Sequence, residues 1–218
     1  MQNIYCLSGL GADERIFRKL TIPGYKLVHI PWVPHSGNDT MESYAAKLAV
    51  QIKDPAPLVM GLSFGGMMAV EIGRLLPTRK IIIISSAKNR GELPQYNTLF
   101  SALISLMPSW FYTQPLPPLL ERFGAKTTEE KELMKQIIKD SDGGFMKWAL
   151  STMQHWRKET TEPNILHIHG TDDDIIPAAG VRPTFWLQGG THIMVYNRAQ
   201  EISNIILENI GGTALTKQ

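Results

Sequence analysis

The sequence predicts an α/β protein: a doubly wound, mostly parallel sheet that carries a helical cap insertion. Three observations lead there. Short apolar runs alternate with helical stretches along the chain. Most of these runs are apolar at every position rather than at every second one, the pattern of strands covered on both faces. One interval, 88–156, interrupts the alternation and is far longer than a connection between a strand and the next element requires.

The β-type runs are "NIYCLSG" (3–9), "YKLVHIPW" (25–32), "APLVMGLS" (56–63), "KIIIISSA" (80–87), "NILHIHG" (164–170) and "TFWLQGG" (184–190). Helical stretches lie at "TMESYAAKLAVQI" (40–52), "FGGMMAVEIGRLL" (64–76) and "RAQEISNIILENI" (198–210). Right-handed crossovers stack such helices on the sheet, and ligands bind beyond the carboxyl ends of its strands. The long interval is rich in rings, Phe100, Trp110, Phe111, Tyr112, Phe123, Phe145, Trp148 and Trp156 among them. It carries two helix patterns of its own. One, 127–140, opens on Thr followed by acids; the other is 143–156. "QPLPPLL" (114–120) reads as a stiff bend between helices. The chain thus divides into a core, 1–87 and 157–218, and a cap, 88–156, folded over the carboxyl edge of the sheet. Most of the rings serve as the cap's own core, and Trp110 and Trp148 are the candidates for lining a substrate pocket. "GGTALTKQ" (211–218) reads as a frayed polar tail.

Composition narrows the class. A chain of 218 residues suits one domain with an insertion. Its 43% hydrophobic and 19% charged residues are ordinary for a globular protein. The net charge of +2, with Lys and Arg scattered, offers no electrostatic basis for nucleic acid or an anionic membrane. A single cysteine, Cys6, rules out an intrachain disulfide and fits a reducing compartment. It lies in the apolar run "IYCLSG" and reads as a small core residue, not a nucleophile. The first residues show no basic leader ahead of an apolar stretch. No run approaches the roughly 20 apolar residues of a membrane span. These features predict a cytoplasmic protein.

The chemistry centres on Gly61-Leu62-Ser63-Phe64-Gly65, which fits G-x-S-x-G. A strand precedes it and a helix follows, as a nucleophile elbow demands. The helix opening at Phe64 aims free amides and the positive end of its dipole at the place where an oxyanion would form. A serine hydroxyl needs a base within reach. Of the six histidines, His29, His167 and His169 lie inside strand runs and read as buried or edge residues. A metal site built on His167-x-His169 lacks further assignable ligands. His192 differs: it follows "LQGGT" at a strand end and precedes the last helix, on the same rim as Ser63. The orienting acid should come from another strand end, and "HGTDDDIIP" offers Asp172, Asp173 and Asp174. A second oxyanion amide is expected from "LSGLGADERIF", with Leu10 as donor beside the Phe64 amide. A phosphate-binding G-x-G-x-x-G reading of that loop fails, because Glu14 occupies the third glycine position.

On "LSGLGADERIF", "MGLSFGG", "HGTDDDIIP" and "GGTHIMVYNRAQEI", the chain resembles the α/β-hydrolase fold family, in its small single-domain esterase-like branch. Members commonly read His-Gly in the first loop, where this chain has Ser8-Gly9, and the chain starts at what is the family's third strand, which implies a shortened sheet. The family places its acid three residues after the strand-ending glycine, which selects Asp173. The resemblance therefore implies a Ser63, Asp173, His192 triad with Leu10 and Phe64 as oxyanion amides. It also implies hydrolysis of a small to medium carboxylic ester or thioester without cofactor or metal. The same fold also hosts cofactor-free lyases, perhydrolases, acyltransferases and non-catalytic small-ligand receptors. Oligomeric state is not legible.

Overall fold

The computed structural model describes residues 1–94, 106–156 and 164–210. Phe100 and the tail 211–218 lie outside them. Six strands form one sheet in the order β2-β1-β3-β4-β5-β6, every neighbouring pair parallel. They are β1 Gln2–Leu7, β2 Tyr25–His29, β3 Leu58–Leu62, β4 Lys80–Ile84, β5 Ile165–Gly170 and β6 Phe185–Leu187. The chain steps outward from β1 to β2, then returns past β1 and runs steadily to β6. The order therefore reverses between β1 and β3, the switch point beside which sheets of this kind bind ligands.

The two-sided apolar strands divide the core. Ile4, Cys6, Met60, Ile82, Ile84 and Ile168 face one cluster, closed by the C-terminal helix α7, Ala199–Ile210. Tyr5, Leu7, Val59, Ile81 and Ile83 face the other, closed by α1, Met41–Ala49, and α2, Phe64–Leu75. Adjacent residues on one strand point to opposite faces, so a run without polar breaks is what a sheet covered on both sides requires. Cys6 is buried, and burial pushes its thiol well above the usual range.

Between β4 and β5 come α3, Pro117–Phe123, α4, Thr128–Asp140, and α5, Gly143–Met153. The expected bend at 114–120 is in fact the start of a helix: Leu116 is the N-cap and Pro117 sits in the first turn. Proline there forgoes only an N–H that has no partner in a helix start, and its fixed φ is already helical. The inserted helices do not pack on themselves alone. Leu133, Met134, Ile137 and Ile138 of α4 join one sheet cluster, and Phe145, Trp148 and Ala149 of α5 join the other. Trp156 is buried with them and donates its indole N–H to Glu71 at 2.8 Å. A short helix α6, Met194–Asn197, precedes α7. Among the described residues no helix is long and apolar enough to cross a membrane.

The glycines around Ser63 are required by close approach. A Cβ on Gly65 would lie 2.2 Å from the Ser8 carbonyl oxygen, and one on Gly61 2.1 Å from that of Gly65. Backbone cannot yield as a side-chain tip can, so overpacking of this kind costs about 3 kcal/mol. Gly65→Ala is accordingly expected to lower the urea unfolding midpoint and to displace the loop after β1. An unchanged midpoint would show that helix and loop are free to slide apart.

Candidate active site

Ser63 ends β3 and caps α2 at φ 52°, ψ −121°, a conformation that side-chain-bearing residues rarely adopt. The surrounding backbone over-determines it. The Ser63 N–H donates to Ile84 O at 3.0 Å, and its carbonyl accepts from Gly66 N at 2.9 Å and from the Ser86 hydroxyl at 2.6 Å. The Ser63 side chain makes no capping bond, so its hydroxyl is left free at the sheet edge. The Phe64 N–H opens α2 and has no carbonyl one turn back to receive it.

The loop after β1 passes over this turn. A Cβ on Gly9 would stand 3.5 Å from Ser63 Cβ. The loop is closed by Ala12 N–H to Gly9 O at 3.0 Å and by the Ser8 hydroxyl to Ala12 O at 2.7 Å. Gly11 takes φ 67°, which turns the chain sharply without the penalty a Cβ would bring. The Leu10 N–H donates to no carbonyl within this turn.

On the far side of β4 stand the other two groups. Asp173, with a side chain 0% exposed, lies against His192, its carboxylate oxygens 2.8 and 3.0 Å from Nδ1. Its Oδ1 also accepts the amides of Ile175 and Ile176, each at 2.9 Å. Asp172 and Asp174 are exposed; Asp172 accepts from the Thr171 hydroxyl, and the Asp174 carbonyl accepts from Arg122 at 2.7 Å. Only one aspartate of the three faces the ring. Burial pushes the Asp173 carboxyl up, but the His192 ring, its hydrogen bond and the Ile176 amide outweigh burial and hold it below the usual carboxylate range. With a carboxylate on Nδ1, the neutral imidazole carries its proton there and presents a lone pair at Nε2. Nε2 and the Ser63 hydroxyl are not hydrogen-bonded to each other, as is common before substrate tightens such a site.

The inserted helices seat on both loops. Arg122 of α3 holds the Asp174 carbonyl, and the Phe123 carbonyl accepts Ile193 N–H at 3.2 Å. The Phe123 ring lies 5.6 Å from the His192 ring. From α5, Phe145 meets Phe64 edge-on at 6.0 Å, and Met146 Cε would stand 2.9 Å from a Cβ on Gly11. Trp148 instead stacks on His35 at 4.9 Å and donates its indole N–H to Asp39 O at 3.2 Å. Trp110 is 64% exposed and meets Phe111 edge-on. Among the described residues, Phe123 thus meets His192, Phe145 meets Phe64, and Met146 lies against the loop at Gly11. No spacing rule singled them out; the contacts are set by how the helices dock. Ser86, two residues past the end of β4, was equally hidden.

A hollow of about 390 Å³ lies elsewhere, lined by Cys6, Phe17, Leu20, Tyr25, Leu27 and His29 among others, and takes in none of Ser63, Asp173 or His192. Among the described residues no group of three His, Cys, Asp or Glu side chains could hold a metal ion.

Comparison with known proteins bears on the fold. No protein-family model matches the sequence, and no curated protein matches it. Solved structures do. The N-acyl homoserine lactonase AidH complexed with N-butanoyl homoserine superposes with a TM-score of 0.71 at 14% identity, over 100% of this chain and 92% of that one. The putative non-heme bromoperoxidase BpoC from Mycobacterium tuberculosis H37Rv gives 0.69 at 17% identity, over 98% and 94%. A thermophilic esterase from Thermogutta terrifontis gives 0.64 at 14% identity, over 95% and 89%. The chain has the α/β-hydrolase fold. At such identities the likeness speaks for the fold.

Proposed function

We propose that this chain hydrolyses small to medium carboxylic esters or thioesters through an acyl-serine. The observation that carries the reading is the dry Asp173–His192 pair, hydrogen-bonded at 2.8 Å, on the sheet edge where Ser63 is held at positive φ with its hydroxyl free. Ser63 Oγ attacks the acyl carbon while its proton passes to His192 Nε2, and Asp173 stabilises the resulting imidazolium. The Leu10 and Phe64 amides receive the oxygen as it becomes anionic, a contribution worth about 3–4 kcal/mol per donor in related chemistry. The imidazolium then protonates the departing alcohol or thiol. A water that gives its proton to Nε2 attacks the acyl carbon, and Ser63 leaves with that proton. Solved structures of similar fold include esterases and an N-acyl homoserine lactonase, which supports a hydrolase reading.

Labelling with a fluorophosphonate probe, beside turnover of p-nitrophenyl esters of graded chain length, tests the reading. An unlabelled protein that turns over none of the esters would instead be a small-ligand receptor on this fold. The inserted helices serve in this reading as a cap, with Phe123, Phe145 and Met146 as an apolar roof, Trp148 backing Phe145, and Trp110 outside it. Phe123→Ala is expected to raise the preference for a hexanoyl over an acetyl ester by about tenfold, the low end of what one methylene is worth in an apolar pocket. A chain-length profile parallel to that of the wild type would remove Phe123 from the roof.

A further inference from the structure

His167 and His169 project from the same face of β5, and neither takes part in the proposed reaction. Their rings meet at right angles, with centroids 5.3 Å apart and His167 Nε2 at 3.3 Å from His169 Nδ1. The other nitrogen of His169, Nε2, lies 2.9 Å from the Ile176 carbonyl and 3.6 Å from Asp173 Oδ2. The His169 side chain is 0% exposed, like that of Asp173.

One arrangement of protons satisfies these contacts. A carbonyl only accepts, so His169 Nε2 carries the proton that it donates to Ile176. In the neutral ring Nδ1 is then an acceptor, and His167 Nε2 donates to it. A second proton on His169 would require His167 to shift its own proton to Nδ1, so this arrangement is the one with both rings neutral in which His167 donates. Burial lowers both rings' proton affinity, that of His167 to about 3. The charged groups facing the pair do not reverse this: Asp173 and Glu92 raise His169, His192 lowers it, and Lys88 and His169 lower His167. His169 Nε2–H is therefore a fixed donor.

That donor sits where the acid needs support. Two of the hydrogen bonds on Asp173 come from Ile175 and Ile176, in its own loop, and travel with it. His169 instead stands on a strand, so its bond to the Ile176 carbonyl ties the loop to the rigid sheet. We propose that His169 is the positioning residue for Asp173, bracing the 173–176 turn from β5 and placing a second N–H beside carboxylate Oδ2. The inference rests on the triad reading above and deepens it: the relay is built in three layers, His169, Asp173 and His192. Partners at this remove from the reacting atoms govern how well the group in front is aimed.

The test compares His169→Asn with His169→Gln. The Asn amide reaches about as far as Nδ1 and keeps a partner for His167, but falls short of Ile176 and Asp173. The Gln amide reaches about as far as Nε2 and restores the donor. His169→Asn is expected to lose about 10- to 100-fold in kcat with KM within about twofold, and His169→Gln to recover most of that loss. The low-field proton resonance of His192 Nδ1–H supplies a readout that needs no turnover. It should move in His169→Asn and return toward its wild-type position in His169→Gln. Equal losses in both variants, or wild-type kcat and an unmoved resonance in His169→Asn, would overturn the proposal. If wild-type protein shows no Ser63-dependent turnover, the ester reading falls while the resonance still decides whether His169 braces Asp173.

Discussion

Ser63→Ala is expected to abolish the proposed acyl transfer: kcat for a p-nitrophenyl ester should fall by at least about 10³-fold, with fluorophosphonate labelling lost. In the proposed reaction the hydroxyl is the attacking group, and without it the Leu10 and Phe64 amides could only polarise a carbonyl that nothing attacks. Stability should hardly change, because the Ser63 hydroxyl makes no capping bond and the hydrogen bonds that pin the turn run through its backbone. Alanine inherits the positive φ and with it the strain. Ser63→Gly should therefore unfold at higher denaturant than Ser63→Ala, by about 1 kcal/mol, while being equally inactive. A variant that keeps more than a few per cent of the wild-type kcat would mean that another group is the nucleophile. Glycine and alanine variants of equal stability would mean that the turn relaxes when the serine is gone.

Asp173→Asn should cost about 10²-fold or more in kcat. An amide keeps the shape but cannot stabilise the imidazolium, and its NH₂ can face Nδ1 and favour the wrong tautomer. Asp172→Asn and Asp174→Asn, both at exposed positions, should remain within about tenfold of wild type. The same carboxylate also links stability to acid. Its folded pKa lies below the ordinary 3.8, so the unfolded chain binds the proton more readily. The stabilisation is fully present above the unfolded value and drains away as pH falls from about 4 through the lower folded one. Asp173→Asn should remove that part of the acid-unfolding slope. If a neighbouring aspartate proves the sensitive one, the loop adopts another register in solution; if none does, the acid comes from elsewhere.

Much of the fold was legible because its signals are local. Unbroken apolar runs such as Ile81–Ile84 suit strands covered on both faces, and each of the six runs holds a strand, five of them shorter than expected and β1 beginning one residue earlier, at Gln2. The glycines around Ser63 were equally readable, since the chain carries them wherever backbone must approach backbone, and the Cβ distances at Gly61 and Gly65 supply that reason. The chain order of Ser63, an aspartate among Asp172, Asp173 and Asp174, and His192 could be written down from strand ends alone. The Pro-rich stretch was misread because proline breaks a helix interior but suits its first turn, and position within an element is what a pattern lacks.

Other features depended on residues far apart in the chain. Which of three consecutive aspartates faces His192 is set by the turn of the 172–176 loop against the segment after β6, where Asp172 N–H meets Gly190 O at 2.9 Å. Which rings meet Phe64 and His192 is set by α3 and α5 docking on the loops, so Phe145 and Phe123 make those contacts while Trp110 stays exposed. The His167–His169 pair reads along the strand as two buried side chains. Only when the 173–176 turn folds back over β5 does Ile176 give His169 a carbonyl to hold. Hydrophobic periodicity records which face of a strand is dry. Hydrogen bonds between loops depend on distances that the packing of the whole sheet sets, and no stretch of sequence carries those distances.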